Sequence, residues 1–421
     1  MIYLSSLIID GGVPLCGVVH VQGAKNSALP ILAASLLADG ECIIENCPDI
    51  SDTHTAVEIL DSLGCRTELC GDYISVNPQY ADGFVIHDTL MRKMRSSIIF
   101  LGSILARRHH ARVSFPGGCD IGTRPIDLHL SALSKMGVEF SESHGYLDCR
   151  TRGLKGADIN LTFPSVGATE NVMLSAVRAD GTTTIRNAAK EPEIIDLQGF
   201  LNAMGADVSG AGTGTIVIRG RKSLGPVRYR IISDRIAAGT YMCAVAAAGG
   251  SVLLKNIDCG ALWSTTAILR DAGCTVEEHA DMLRIESDGM TQTDSSGVIR
   301  TMPYPGFPTD MGSPMVAAMC LARGTTVFVE TIFENRYKYV GELLRMGARI
   351  RTDGRVAVID GVRRLYGARV EASDLRGGAA LVVAALAAEG QTVINNAEYI
   401  ERGYEHIDRV LSDLGADIKY A

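Results

Sequence analysis

The sequence has few aromatic residues: Phe, Trp and Tyr make up 5% of its 421 residues, and there is one Trp. It also has no excess of positive charge, because 40 Lys and Arg stand against 48 Asp and Glu, for a net charge of −8. This balance excludes a global positive field for nucleic acid. An anionic ligand must therefore be held by a local concentration of Arg and Lys.

Long apolar runs and paired cysteines are also missing. The most apolar stretches, Tyr241–Ala248 and Gly377–Ala388, fall short of the roughly 20 residues needed to cross a bilayer. The N-terminus lacks the residue order of a signal peptide. Eleven Cys are scattered without a Cys-x-x-Cys pair or Cys/His zinc spacing. We therefore expect a cytoplasmic protein with reduced thiols, no bound metal and no membrane insertion.

The sequence does contain an internal repeat. An apolar residue followed by Gly recurs between a helical pattern and a strand pattern, at Gly64, Gly137, Gly205, Gly273, Gly347 and Gly415. The successive intervals are 73, 68, 68, 74 and 68 residues, so six units account for the whole chain. Glycine commonly follows a helix, because it enters the left-handed region without a Cβ penalty. Each unit is predicted to contain a strand, a helix, two strands and a helix.

The length of the unit decides between two architectures. Solenoid repeats usually span ~20–50 residues, so a longer unit with two helices favours globular α/β packing, with three βαββα-type repeats per domain. A Gly- and Pro-containing segment at 219–226 suggests a boundary near residue 232. The last unit lacks one strand, which Tyr3–Ile9 can supply. The prediction is one domain at 22–232 and a second at 1–21 plus 233–421, closed by the N-terminal strand.

A glycine-rich loop at Pro116–Pro125 carries Cys119 and Arg124. It lies between the strand-like Arg112–Phe115 and the helical pattern of Ile126–Met136. A thiol near a helix N-terminus and an Arg has a lowered pKa, which suits nucleophilic or acid chemistry. The alternative is an inert buried Cys, and the loop pattern alone does not decide between the two.

Three further positions combine polar side chains with predicted helix starts. Lys25 and Asn26 begin the first long helix, where a cation and backbone N–H groups can hold an anion. The alternative for Lys25 is a solvated surface charge. Asp310 is a candidate general base. Both Asp310 and Ser165 could instead be ordinary helix N-caps.

Arginines recur beside helix starts and glycines, at Arg95, Arg124, Arg336, Arg376 and Arg402. Each alone could be a surface charge. Together they could form a clamp for a phosphate and a carboxylate, because Arg binds both groups in bidentate fashion. The glycine-rich segment at 210–214 lies between two strand patterns and is predicted to be a turn, not a phosphate loop.

These motifs resemble the UDP-N-acetylglucosamine 1-carboxyvinyltransferase family of enolpyruvyl transferases, from end to end. The matching segments are Gly23–Asn26, Pro116–His129, Phe163–Asn171, Glu191–Glu193, Pro305–Asp310, Phe333–Arg336, Asp374–Arg376 and Arg402–Glu405. The resemblance implies a two-domain inside-out α/β barrel built from six repeats. It also implies addition of the 3-hydroxyl of UDP-N-acetylglucosamine to phosphoenolpyruvate, followed by loss of phosphate from a tetrahedral intermediate. That reaction is the first committed step of peptidoglycan synthesis and needs no cofactor and no obligate protein partner.

The resemblance also implies roles for individual residues. Cys119 would donate a proton in the addition step and be alkylated by fosfomycin, while Asp310 would act on the sugar hydroxyl. Lys25, with Arg124 and Arg402, would hold the phosphate of phosphoenolpyruvate, and Arg336 with Arg376 its carboxylate. The other implied substrate contacts are Asn26, Arg95, Pro125, Ile126, Asp127, Leu128, Phe163, Ser165, Val166, Ile332 and Asp374.

Two rival functions differ from this prediction in their motifs. The sibling 3-phosphoshikimate 1-carboxyvinyltransferases typically have Ser after the lysine, where this chain has Asn26, and they do not rely on a loop Cys. A silent paralogue that only binds a sugar nucleotide has no use for both Cys119 and Asp310. Departures from many relatives at 312–314, Ser233, Ala237 and Phe163 remove none of the proposed catalytic groups.

Overall fold

The computed structural model describes residues 6–71, 73–116, 126–289 and 297–421. These residues form two compact units. The first unit contains residues 23–71, 73–116 and 126–232, and the second contains residues 6–22, 233–289 and 297–421. Among the described residues, six four-stranded sheets are present, three in each unit.

The strands and helices are numbered in chain order. The strands are β1 (Ser6–Asp10), β2 (Leu15–His20), β3 (Cys42–Glu45), β4 (Arg66–Cys70), β5 (Tyr73–Asn77), β6 (Val85–Ile86), β7 (His110–Ser114), β8 (Glu139–Ser143), β9 (Tyr146–Arg150), β10 (Asp158–Asn160), β11 (Thr182–Arg186), β12 (Asp207–Ser209), β13 (Thr215–Arg219), β14 (Arg228–Arg230), β15 (Gly250–Lys255), β16 (Thr275–Glu278), β17 (Met282–Ser287), β18 (Val298–Arg300), β19 (Thr325–Val329), β20 (Arg349–Asp353), β21 (Val356–Asp360), β22 (Arg369–Glu371), β23 (Gln391–Asn395) and β24 (Asp417–Tyr420). The α-helices are α1 (Lys25–Ser35), α2 (Ser51–Ser62), α3 (Asp88–Lys93), α4 (Phe100–Arg108), α5 (Asp127–Lys135), α6 (Val166–Ala176), α7 (Pro192–Ala203), α8 (Arg235–Ala248), α9 (Trp263–Asp271), α10 (Gly312–Met319), α11 (Val340–Arg345), α12 (Leu375–Ala387) and α13 (Ile407–Asp413). Short 3-10 helices span Arg95–Ile99, Cys259–Leu262, Thr309–Met311 and Ala397–Arg402.

All six sheets share one strand order. Each order is written from the edge strand of the parallel pair. The first unit has β14-β3-β5-β4, β6-β7-β9-β8 and β10-β11-β13-β12, and the second has β2-β15-β17-β16, β18-β19-β21-β20 and β22-β23-β1-β24. Each sheet contains one parallel pair, such as β6 with β7, and its other neighbours are antiparallel. Parallel neighbours need a long connection, and in four of the sheets that connection is a buried helix: α4, α6, α10 or α12.

The core of each unit is a set of three largely apolar helices in which most residues are buried. In the first unit α1, α4 and α6 contact one another, and in the second unit α8, α10 and α12 do so. Their sequences are rich in Ala, Leu, Val and Ile, and such helices are stable only when buried. In α12 every residue from Leu375 to Leu386 is buried. None of the helices in the described parts of the chain is both long and apolar enough to cross a membrane.

The helix-end glycines have the backbone conformation that the repeat predicts. Gly64, Gly137, Gly205, Gly273, Gly347 and Gly415 have φ angles between 90° and 98°. They follow α2, α5, α7, α9, α11 and α13, six helices that lie outside the buried sets. A side chain at these positions would be strained, so the glycines fix where the outer helices end. The sixfold α/β repeat is confirmed.

Two features of the strands complete the repeat. Besides the strands that the periodicity predicts, each unit contains short edge strands of two or three residues, such as β6, β10 and β22. The N-terminal strand β1 lies between β23 and β24 and is antiparallel to both, with Ile8 opposite Val393 and Lys419. It takes the place that a second hairpin strand has in the other repeats.

Candidate active site

In the second unit, two arginines share one carboxylate. Arg336 Nη2 lies 3.1 Å from Asp310 Oδ1, and Arg376 Nη2 lies 3.1 Å from Asp310 Oδ2. The side chains of Arg336 and Arg376 are 3% and 4% exposed, whereas that of Asp310 is 28% exposed. Asp310 lies in the 3-10 turn before α10, Arg336 lies between β19 and α11, and Arg376 lies in the first turn of α12. The two guanidinium groups therefore form a carboxylate-binding fork.

Neighbouring side chains hold Arg376 in place. Its Nη1 donates to the Tyr404 hydroxyl at 3.2 Å, and that hydroxyl lies 2.8 Å from Thr240 Oγ1. Burial opposes the charge on Arg376, but the Asp310 carboxylate, with Tyr404 and Asp234, holds its pKa above the ordinary value. The arginine is therefore a fixed cation.

Asp310 and Asp374 have different structural roles. Asp374 is the N-cap of α12, and its Oδ1 accepts the backbone N–H groups of Arg376 and Gly377, each at 3.0 Å. Asp310 does not cap a helix: the residue before its 3-10 turn is Pro308, and its carboxylate faces the two arginines. The N-cap alternative is therefore not observed for Asp310.

The loop after Arg402 is held by one glutamine. Arg402 is the last residue of the 3-10 helix Ala397–Arg402. The Gln22 amide donates to the Gly403 carbonyl at 3.1 Å and accepts the Glu405 N–H at 2.8 Å. Gln22 thereby fixes the backbone that follows Arg402. It did not stand out in the sequence, where it is one polar residue after a strand.

In the first unit, buried carboxylates fix the start of α1. Lys25 is the first residue of this helix, and its Nζ lies 2.6 Å from Asp52 Oδ2, with both side chains buried. Asn26 follows it. Two residues after Lys25, the Ser27 hydroxyl donates to the buried Asp196, which also accepts the Tyr229 hydroxyl at 2.7 Å. Lys25 is thus a buried, paired cation, and the solvated-lysine alternative is not observed.

A second buried network joins three more helices of this unit. The Asn171 amide of α6 donates to the Ile98 carbonyl at 3.0 Å, and its oxygen accepts the Gly102 N–H at 2.7 Å. Its nitrogen also lies 2.7 Å from Nδ1 of His129 in α5. Burial, and then the charge of Arg95, lower the pKa of His129 to about 4. His129 is therefore neutral at pH 7, with Nδ1 as acceptor and its proton on Nε2.

The implied nucleotide-sugar contacts lie beside this network. Ile126, Asp127 and Leu128 are at the start of α5. Ser165 is the N-cap of α6, with its Oγ 3.3 Å from the Ala168 nitrogen, and Val166 begins the helix. Ser165 is therefore an N-cap, as the alternative predicted. Helix N-termini carry partial positive charge that suits phosphate groups.

Two other implied contacts are exposed or partly buried. Phe163 is exposed ahead of α6. The Arg95 guanidinium donates to the Pro116 carbonyl at 3.3 Å, and burial lowers its pKa. Cys119, Arg124 and Pro125 lie outside the described residues.

Buried acids are further functional candidates, for which no role was predicted from the sequence. Glu170 of α6 is buried, and burial, followed by the charges of Glu193 and Glu191, raises its pKa to about 8. Asp52 and Asp196 pair with the start of α1, as described above. Nothing in the sequence distinguishes Asp52 and Asp196 from surface charges. Within the described ranges, no group of three or more His, Cys, Asp or Glu side chains could hold a metal ion.

The predicted residues thus fall into two sets, one in each unit. The second unit brings together Asp310, Arg336, Asp374 and Arg376. The first unit places Lys25 and Asn26 at α1, and Arg95 near the starts of α5 and α6. The chemistry available is therefore anion binding by fixed cations, with one partly exposed carboxylate able to accept a proton.

Comparisons with known proteins give consistent results across the whole chain. The family model of EPSP synthase (3-phosphoshikimate 1-carboxyvinyltransferase) matches residues 9–411. The chain is 51% identical to UDP-N-acetylglucosamine 1-carboxyvinyltransferase 2 of Caldanaerobacter subterraneus subsp. tengcongensis, over 97% of this chain and 98% of that protein. It is 47% identical to UDP-N-acetylglucosamine 1-carboxyvinyltransferase of Oleidesulfovibrio alaskensis, over 99% of both chains.

Two solved structures have the same fold. The enolpyruvyl transferase NikO from Streptomyces tendae aligns with a TM-score of 0.88 and 27% identity, over 99% of both chains. EPSP synthase from Acinetobacter baumannii aligns with a TM-score of 0.74 over 99% of this chain and 100% of that one. Its 18% identity supports the likeness of fold alone. The two-domain α/β architecture is therefore shared with solved enolpyruvyl transferases.

Proposed function

The chain belongs to the enolpyruvyl transferases, and among them to the UDP-N-acetylglucosamine 1-carboxyvinyltransferase family, and from this membership we propose how its residues perform the transfer. The enolpyruvyl group of phosphoenolpyruvate is transferred to the 3-hydroxyl of UDP-N-acetylglucosamine, and phosphate is released. This reaction commits the sugar nucleotide to peptidoglycan, and hence to the cell wall. The observation that carries the proposed mechanism is the pair of buried guanidinium groups around one carboxylate.

The fork of Arg336 and Arg376 is proposed to bind the carboxylate of phosphoenolpyruvate. In the structure this fork holds the carboxylate of Asp310, which has the same charge and the same two acceptor oxygens. Planar guanidinium groups match a carboxylate in bidentate geometry. The substrate carboxylate would therefore displace Asp310 from the fork and leave it free to accept a proton.

Asp310 is then proposed to act as the general base. It would take the proton of the 3-hydroxyl as the sugar oxygen forms a bond to C2 of phosphoenolpyruvate, while Cys119 gives a proton to the methylene carbon. In the second step the Cys119 thiolate takes a proton back from that carbon, the double bond re-forms, the bond from C2 to the phosphate oxygen breaks, and the departing phosphate takes up the proton held by Asp310. The role of Cys119 rests on the family resemblance.

Lys25 is proposed to hold the phosphate group, together with Arg124 and Arg402. Its support is the position at the start of α1, where the ammonium group is buried beside Asp52 and cannot move freely. A fixed cation at a helix N-terminus stabilises an anion without reorganisation. Arg124 and Arg402 enter this set by resemblance.

The diphosphate and uridine of the sugar nucleotide are proposed to lie along the starts of α5 and α6. Arg95 supplies a partly buried cation there, and His129 supplies no charge, because its imidazole is neutral. The ends of two helices add N–H dipoles. The small-molecule substrates are then the only partners that the mechanism needs. We place this activity in the cytoplasm, where both substrates are metabolites.

A phosphate-release assay tests this function. The purified chain is incubated with phosphoenolpyruvate and either UDP-N-acetylglucosamine or shikimate 3-phosphate as acceptor. We expect phosphate with the sugar nucleotide and none above background with shikimate 3-phosphate. The opposite preference would identify the chain as the shikimate-pathway sibling. Release with neither acceptor, from a protein that still binds UDP-N-acetylglucosamine, would indicate the silent paralogue.

A further inference from the structure

We propose that Glu330 is a positioning residue for the transfer, a role that rests on the function proposed above. Glu330 follows β19 directly and is 1% exposed. Neither the motifs nor the comparisons single it out. Burying a carboxylate this deeply lowers the stability of the fold unless its oxygens are fully hydrogen-bonded. The groups that donate to Glu330 therefore indicate its role.

Four donors surround this carboxylate. Glu330 Oε1 accepts the Thr301 hydroxyl at 2.9 Å and the backbone N–H groups of Ile332 and Phe333 at 2.7 and 3.1 Å. Glu330 Oε2 accepts the Thr309 hydroxyl at 2.8 Å. Every contact uses the side chain as an acceptor, which is the hydrogen-bonding capacity of an ionised carboxylate. The two oxygens therefore tie separate segments of chain to one point.

Both segments lead to the candidate active site. Thr309 is the residue before Asp310 in the same 3-10 turn. Ile332 and Phe333 begin the loop that reaches Arg336, whose Nη2 donates to the Thr309 carbonyl at 3.2 Å and to Asp310. Glu330 thus closes a ring of contacts that includes the proposed base and one arm of the carboxylate fork. Small displacements of such groups are costly, since about 1 Å of misplacement lowers a rate by ~10²-fold.

The competing explanation is that Glu330 only stabilises the fold. The two explanations predict different effects when the Thr309 hydroxyl is removed. Thr309→Val removes the donor to Oε2 and keeps the branched shape of the side chain, so a purely structural role predicts a small loss of stability with unchanged chemistry. A positioning role predicts a selective loss of the chemical step, because Asp310 is no longer fixed relative to the sugar hydroxyl.

The test compares Thr309→Val, Thr309→Ser and Glu330→Gln with a control, Thr325→Val. Thr325 makes the same kind of hydroxyl-to-carboxylate bond, to Asp360 at 2.7 Å, but on the exposed side of the same sheet. We expect Thr309→Val to lower kcat about ten- to hundred-fold with little change in KM for UDP-N-acetylglucosamine. Thr309→Ser should recover most of that loss, and Thr325→Val should match the wild type.

Glu330→Gln is the second variant, in case Thr309→Val does not fold. Its amide has one acceptor oxygen in place of two, so it should also lower kcat. A Thr309→Val enzyme with the kcat of Thr325→Val, or a loss that Thr309→Ser does not recover, overturns the proposal. A wild type that releases no phosphate with UDP-N-acetylglucosamine overturns the proposed function and this proposal with it. An active wild type with an unaffected Thr309→Val variant overturns only the positioning role.

Discussion

Replacing Asp310 with Ala should destabilise the free enzyme and at the same time strengthen its binding of phosphoenolpyruvate. In the structure the Asp310 carboxylate neutralises two guanidinium groups that are almost fully buried. Its removal leaves two cations of like charge facing each other. A carboxylate-bearing ligand would then enter the fork without displacing a side chain.

The expected loss of unfolding free energy follows from how deeply Asp310 and its two arginine partners are buried. Removing one partner of a buried ion pair costs about 3–5 kcal/mol. The Asp310 side chain is 28% exposed, so water already screens part of its interaction with the arginines. We therefore expect Asp310→Ala to lower the free energy of unfolding by about 2 kcal/mol. A loss of about 2 kcal/mol lowers the Tm of a unit of this size by about 4–8 °C. The same free energy corresponds to roughly thirtyfold tighter binding of the substrate carboxylate.

The assay combines thermal unfolding with titration by phosphoenolpyruvate in the absence of the acceptor. Asp360→Ala is the matched control, because Asp360 pairs with the exposed Arg351 at 3.0 Å in the same unit. Asp310→Ala should also lose most of its turnover, by about 10²-fold or more, since it lacks the proposed base. An Asp310→Ala enzyme with the Tm of Asp360→Ala and unchanged affinity for phosphoenolpyruvate would contradict this prediction.

Three further predictions concern the first unit and the Cys119 loop. Asp52→Asn should lower the free energy of unfolding by about 3 kcal/mol and raise KM for phosphoenolpyruvate, because Lys25 loses its buried partner. A KM equal to that of the wild type would contradict this prediction. The pKa of Glu170, about 8, lies above its unfolded value, so its neutral form contributes stability that is lost as pH rises from about 4.5 to 8. The stability gained by Glu170→Gln should therefore grow from pH 5 to pH 8 in thermal unfolding, and a pH-independent difference would argue against it. Fosfomycin should add its mass to Cys119, and an unlabelled but active enzyme would remove that thiol from the mechanism.

The repeat was predictable because its signals are local. A glycine after a helix reflects the φ angle required at that residue, and Gly205 shows it with φ of 97°. The buried helices, such as α8 and α12, are almost entirely apolar, which the composition of each segment already shows. The short edge strands are less visible, because two residues, as in β6, are too few to show alternation.

The active-site geometry was only partly predictable. The sequence indicated that arginines and Asp310 could form an anion site, but it did not show that Asp310 lies in the fork. The partners are 26 and 66 residues away along the chain, and their meeting depends on how three elements pack. The role of Glu330 is harder to predict, because the sequence does not distinguish a buried glutamate from an exposed one. What distinguishes it is burial, a tertiary property.

The proposed mechanism ends in an enolpyruvyl ether on a sugar nucleotide. The most direct measurement is the mass of UDP-N-acetylglucosamine after incubation with the enzyme and phosphoenolpyruvate. The mechanism predicts a product that carries one added enolpyruvyl group, with one phosphate released for each group transferred. A sugar nucleotide of unchanged mass, recovered from an enzyme shown to bind both substrates, would contradict it.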